Sequence, residues 1–157
     1  MRRASFADVN CSIARSLEVV GEWWTLLIIR DAFLGVTRFK DFQERLGIAP
    51  NILTARLDKL VGAGILQRQT YEEARDRGDY VLTKQGRALW PVMVTLRQWG
   101  DDWLIDEPPV ALLHTPCGEV SRAVLHCEHC GERLVGREMK TVAGPGSTDA
   151  TLPEPAR

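Results

Sequence analysis

All three histidines of this chain and three of its four cysteines fall between residues 112 and 135, in LLHTPCGEVSRAVLHCEHCGERLV. The order is His114-x2-Cys117-Gly, eight residues, then Cys127-x2-Cys130-Gly. Thiolates and an imidazole at this spacing are ligands for a tetrahedral ion, and a Cys3His set closes a structural Zn²⁺ site with no open position for a reacting water. The glycine after each pair lets the backbone N–H groups turn toward the sulfurs. His114 is the expected fourth ligand, with His126 and His129 as competitors. The stretch is too short to build a core of its own, so one structural Zn²⁺ would contribute to its folding. The same residues also fit a degenerate ribbon that folds as a β-hairpin without metal.

Cys11 is the remaining thiol, at the start of the first helical stretch. A helix N-terminus favours the thiolate and raises reactivity; the competing reading is a small, half-buried packing residue. Nothing else resembles a catalytic set. No Ser/His/Asp constellation exists, and Cys127-x2-Cys130 lacks the strand–helix–strand frame of a thiol oxidoreductase. An enzyme is not expected.

Composition narrows the classes further. The chain has 157 residues, 45% of them apolar, and a formal net charge of −1. That is enough for one packed domain with an appendage, and it carries no global signal for nucleic acid. Between Arg30 and Arg87, however, eleven Lys/Arg face eight Asp/Glu. The longest apolar run, Trp23 to Ile29, is interrupted at Thr25 and is far too short to span a bilayer, so no membrane partner is expected. No apolar export segment follows the N-terminal arginines, which predicts a cytoplasmic protein with reduced thiols.

The elements that position these residues follow from periodicity. Ile13, Leu17 and Val20 give a helix from near Asn10 or Ser12, either of which is suited to cap it. A second helix after Gly21 turns Trp24, Leu27 and Ile28 inward, with Trp23 and Trp24 read as core and dimer packing. Phe39, Phe42 and Leu46 mark a third helix, ended by Gly47. Leu53, Leu57 and Leu60 mark a fourth, with Pro50 in its first turn and a stop at Gly62-Ala63-Gly64. Two strand-like runs, 65–71 and 80–83, then flank a charged tip. Helix, tight turn, helix, hairpin is the order of a winged helix-turn-helix, whose second helix enters the DNA major groove. Opposite its apolar face that helix carries Asn51, Ala55 and Asp58, flanked by Thr54 and Lys59; Asn51 is suited to adenine edges, Thr54 and Ala55 to phosphate or thymine methyl groups, and the acidic Asp58, further along, points past the groove. Arg56 turns toward the domain, for a salt bridge to the third helix or for a phosphate. Lys40 is a phosphate candidate. Arg75 and Arg77 at the wing tip are suited to the minor groove or the backbone, unless Glu72, Glu73, Asp76 and Asp79 neutralise them.

Four linked blocks carry a family resemblance: CSIARSLEVVGEWWTLLIIRD (11–31), RFKDFQERLGIAPNILTARLDKLVGAGIL (38–66), DYVLTKQGRAL (79–89) and LRQWGDDWL (96–104). Together they resemble the HxlR-type winged helix-turn-helix regulators, relatives of the MarR-type repressors. Where those proteins usually read GGKW, this chain has Gly21-Glu22-Trp23-Trp24; it also lacks a proline before the second wing strand and continues past the domain. The resemblance implies a mainly α fold with a small β-wing (α+β) and a sequence-specific transcriptional regulator, in the repressor sense, that binds double-stranded DNA. Some such regulators sense oxidants or electrophiles through an N-terminal cysteine, the position that Cys11 holds here; a small-molecule inducer would be another input.

After Thr83, a plausible N-cap, the apolar positions Leu89, Val92, Met93, Leu96, Trp99 and Trp103 repeat at helical spacing to about Leu104, and Pro91 should kink or split the helix. The stripe is wider than one wing can cover, which together with Ile13 and Leu17 predicts a homodimer on a palindromic operator, as the resemblance also implies. The alternative is a winged-helix protein-interaction module that does not bind DNA. The expected organisation is a loose lead (1–9), the DNA-binding and dimerisation domain (10–105), a zinc-ribbon-like module (110–137) and a disordered tail (143–157).

Overall fold

The computed structural model describes residues 5–70, 78–149 and 151–153. The order is α1 (Ser12–Val20), α2 (Trp23–Phe33), α3 (Phe39–Leu46), α4 (Pro50–Gly62), β1 (Leu66–Thr70), β2 (Gly78–Leu82), α5 (Lys84–Arg87), α6 (Trp90–Trp103), β3 (Leu113–His114) and β4 (Glu119–Val120), then a 3-10 turn at Gly136–Glu138. The chain forms two compact units that divide between Val94 and Thr95, inside α6.

In the first unit α2, α3 and α4 enclose one core. Ile28 and Ile29 of α2, Phe42 of α3 and Leu53, Leu57 and Leu60 of α4 are fully buried, with Ile48, Ile65 and Leu66 closing the cluster. The turns follow from local chemistry. Gly47 ends α3 at φ +62°, a left-handed conformation that suits glycine, and its N–H returns to the Gln43 carbonyl. Pro50 opens α4, where its missing N–H costs no helical bond. β1 and β2 pair antiparallel in the register Leu66–Leu82 to Thr70–Gly78. On the far side of β2, Tyr80 N–H donates to the Thr37 carbonyl at 2.7 Å. The wing tip, with Arg75 and Arg77, lies outside the described residues.

Two expectations change here. The N-cap of α1 is Cys11, whose own side chain makes no cap hydrogen bond. The buried face of α2 is Thr25, Ile28, Ile29 and Asp31, whereas Leu27 lies at the surface and Trp23 is 89% exposed. Apolar residues surround α2 on every side, so spacing alone does not choose its inner face. The stretch after Thr83 is split near Pro91, as its sequence predicts: Thr83 caps α5, its hydroxyl accepting from Gly86 N–H at 3.0 Å, and α6 starts afresh at Trp90. Among the described residues of the tail, Ala143 N–H donates to the Pro153 carbonyl at 2.8 Å.

The second unit begins at Thr95, with the last half of α6. Arg97 donates to the Val110 carbonyl at 2.6 Å, Gln98 exchanges two hydrogen bonds with the backbone of Ala123, and Arg122 pairs with Asp102 at 2.6 Å. Two small hairpins follow where one was expected. β3 pairs with β4, and His126 bridges Arg133. No described residue after Val94 is buried.

Candidate nucleic-acid interface

The outer face of α4 is the geometric opposite of its core face. With Leu53, Leu57 and Leu60 buried, the 100° turn per residue leaves Asn51, Thr54, Ala55 and Asp58 exposed. Asn51 is a side chain that can present a donor and an acceptor together to an adenine edge. Thr54 Oγ1 donates back to the Pro50 carbonyl at 2.9 Å, which holds its rotamer while its methyl and one lone pair remain outward. Pro50 is exposed at the start of the same helix.

The flanking cations are tied inward. Arg56 pairs with Glu22 at 3.2 Å, each side chain about a quarter exposed. The salt bridge expected to reach the third helix goes instead to Glu22, the N-cap of α2. Lys59 Nζ donates to the Glu18 carbonyl at the end of α1. Sequence spacing finds the face on which Lys59 lies but not this acceptor, because it belongs to another helix. Lys40, on α3, is 81% exposed and faces Glu44 one turn on at 3.4 Å, a pair that water and salt weaken readily. α4 therefore offers an apolar and amide surface in its first two turns, with its cations held to its sides and the acidic Asp58 exposed further along.

Beneath this face sits a group that sequence spacing does not single out. Asp31 is fully buried, with Arg30 at 2.8 Å on Oδ1 and Arg45 at 3.2 Å on Oδ2. The two arginines belong to α2 and α3, so the carboxylate fastens the helices that carry α4. A charged Arg-Asp pair at the end of an apolar helix is the available signal.

Of the proposed dimer residues, Ile13, Leu17, Leu96, Trp99 and Trp103 are exposed, while Leu89 and Met93 pack against the domain core. Cys11 is exposed at the head of α1. In the second unit His114 Nδ1 stands 3.1 Å from Cys117 Sγ. The Cys127 thiol is drawn below its ordinary range by the backbone N–H of Cys130, then by that of His129 and by the Cys130 thiol. Among the described residues no three Cys, His, Asp or Glu side chains are gathered as a ready metal site, and no helix is long and apolar enough to cross a membrane.

Comparison with known proteins agrees with this geometry. Residues 19–108 match the family described as HxlR-like helix-turn-helix. An uncharacterized HTH-type transcriptional regulator of Mycobacterium tuberculosis, Rv3095, is 44% identical over 137 residues, covering 86% of this chain and 87% of that protein. Among solved structures, the transcription factor PA1607 is 39% identical with a TM-score of 0.80, covering 90% of this chain and 100% of that one. The redox regulator HypR in its reduced form is 28% identical with a TM-score of 0.55, covering 59% of this chain and 92% of that one. The buried α2–α3–α4 core, the exposed face of α4 and the wing behind it are thus those of a DNA-binding transcriptional regulator, and the chain belongs to the HxlR-like helix-turn-helix family.

Proposed function

We propose that the protein is a homodimeric cytoplasmic repressor that binds a palindromic operator in double-stranded DNA and releases it in response to an oxidant, an electrophile or a small inducer. The observation that carries the reading is the outer face of α4. Asn51, Thr54 and Ala55 stand exposed above a rigid core while Arg56 and Lys59 are turned aside, an arrangement for reading base edges more than for gripping phosphate. Lys40 and the wing arginines Arg75 and Arg77 supply the backbone contacts. The exposed apolar side chains Ile13, Leu17, Leu96, Trp99 and Trp103 support pairing of two chains, which sets two recognition helices on half-sites roughly 34–36 Å apart.

Asn51→Ala and Thr54→Ala test this in an operator-binding titration. Each should weaken specific binding by about 1–3 kcal/mol for every base-edge interaction it removes, and leave binding to unrelated duplex nearly unchanged. An equal loss on both DNAs would move α4 out of the groove. A footprint with one unrepeated half-site, or a monomer in sedimentation at micromolar concentration, would remove the dimer.

Cys11 supports the input arm of this reading, since its thiol is exposed at the head of α1. Cys11→Ser is expected to bind the operator as tightly as the wild type and to stay bound when peroxide or quinone is added. Release identical to the wild type would assign Cys11 to packing.

A further inference from the structure

The second unit poses a stability problem. None of its described residues is buried, and Leu113, Val120, Val124, Leu125 and Met139 are all more than two-fifths exposed. Hairpins of this size do not stand alone in water without a cross-link. The four cysteines are free thiols, so a disulfide is not the cross-link.

Two turns in this unit share one backbone design. In the first, Cys117 N–H and Gly118 N–H both return to the His114 carbonyl, at 3.1 and 2.9 Å, and Gly118 is left-handed at φ +73°. In the second, Gly131 N–H returns to the Cys127 carbonyl at 2.9 Å, and Gly131 is left-handed at φ +75°. Each turn sits at the end of its own hairpin, closed by β3–β4 in one case and by the His126–Arg133 bridge in the other. Each brings two metal-ligating side chains to one side. His114 Nδ1 and Cys117 Sγ are 3.1 Å apart. Two ligands on one tetrahedral zinc, at about 2.0–2.3 Å from it, stand roughly 3.3–3.8 Å from each other. In the second turn the backbone N–H groups of His129 and Cys130 point at Cys127 Sγ, which is how a protein compensates thiolate charge on a metal.

The competing histidines are otherwise engaged. His126 Nδ1 bonds the Gly131 carbonyl at 2.9 Å, and the His129 ring lies beside Glu128 in a side chain 87% exposed. His114 is the imidazole already paired with a cysteine.

We propose that His114, Cys117, Cys127 and Cys130 bind one structural Zn²⁺, which draws the two turns together and serves as the core that the second unit lacks. The two pairs are not gathered in the structure, and the segment between their hairpins, residues 121–125, spans at most about 17 Å when fully extended. Closure onto one ion therefore requires the hairpins to move about residues 121–125, whose Arg122 and Ala123 are held by Asp102 and Gln98 of α6, and leaves the turns themselves unchanged. Binding deprotonates the three thiols, releases their protons to solvent and fills all four positions of the ion. The site is structural and carries no reaction.

The test is elemental analysis of the full chain, purified without chelator, for the wild type and for Cys117→Ser, Cys127→Ser and Cys11→Ser. About one zinc per chain is expected in the wild type and in Cys11→Ser, falling at least tenfold in the other two. Should a variant fold poorly, the wild type is stripped with chelator and titrated with Co²⁺. The thiolate-to-cobalt and d–d bands of a tetrahedral Cys3His site should saturate at one equivalent, and His114→Ala should alter them while His126→Ala and His129→Ala do not. Zinc-free folded wild type without a cobalt site would overturn the proposal. So would zinc absent from Cys127→Ser but kept in Cys117→Ser, since one turn alone would then hold the ion. Neither readout depends on operator binding.

Discussion

Replacing Arg30 and Arg45 together by Met should cost about 3–5 kcal/mol of stability, because it leaves the Asp31 carboxylate buried without a counter-charge. Both carboxylate oxygens are engaged, Oδ1 by Arg30 and Oδ2 by Arg45, and the Asp31 side chain has no exposed surface. Methionine keeps the apolar stem of each arginine, so the loss reports charge rather than packing. Each single replacement should cost less, about 1–2 kcal/mol, since one guanidinium remains. The effect is asymmetric. Both arginines are about half exposed and can be rehydrated, so Asp31→Asn alone should be milder than the double arginine variant. Placed in the double-variant background, Asp31→Asn should recover part of the loss, because an amide is cheaper to bury than a charge. Urea unfolding of these variants decides this. A double variant within about 1 kcal/mol of wild type, or no recovery from Asp31→Asn, would mean that the carboxylate is satisfied some other way.

Gly86→Ala is the second large effect, expected to cost about 2–3 kcal/mol by overpacking. Gly86 is buried where α5 lies on the base of the wing, and a Cβ there would fall inside the van der Waals radius of the Ile65 carbonyl oxygen and press on Leu82. That carbonyl cannot yield freely, since it accepts from Thr83 N–H at 3.0 Å, while Thr83 Oγ1 donates to the Gly64 carbonyl. The strain therefore passes to β1 and β2, and operator affinity should fall along with stability. Gly100→Ala is the matched control. Gly100 sits within α6 with open space where a Cβ would be, so the same change there should stabilise by about 0.5–1 kcal/mol. Thermal unfolding with opposite signs at the two sites is the expected result. Equal small effects would show that α5 lifts from the wing without cost.

The same contrast explains which parts of the molecule are legible in the sequence. Leu53, Leu57 and Leu60 recur at helical spacing between polar neighbours, and all three are buried. Periodicity chooses a face when one face is polar. In α2 it is not, so spacing turns Leu27 inward where Ile29 and Asp31 are found. The α4 cations show a different limit. Spacing sets Arg56 and Lys59 beside the outer face, but their partners, Glu22 and the Glu18 carbonyl, are far away in the chain. Glu22 is also where the chain departs from the usual glycine-rich GGKW pattern, so the departure and the salt bridge are one feature. The turns at His114–Gly118 and Cys127–Gly131 are legible because their chemistry is local, and the clasp of Gln98 on Ala123 is not, because it joins a helix to an irregular segment.

The wing also bears on how the protein avoids association of the wrong kind. A two-stranded sheet has two open edges, and an open edge is a template for adding a strand from another molecule. The β2 edge is guarded at its centre, where Tyr80 N–H is taken by the Thr37 carbonyl. β1 is the other edge, only five residues long, and it presents exposed Gln67, Arg68 and Gln69 in succession. A strand so short, polar and cationic is a poor site for edge-to-edge stacking, the usual route from a small sheet to fibrils.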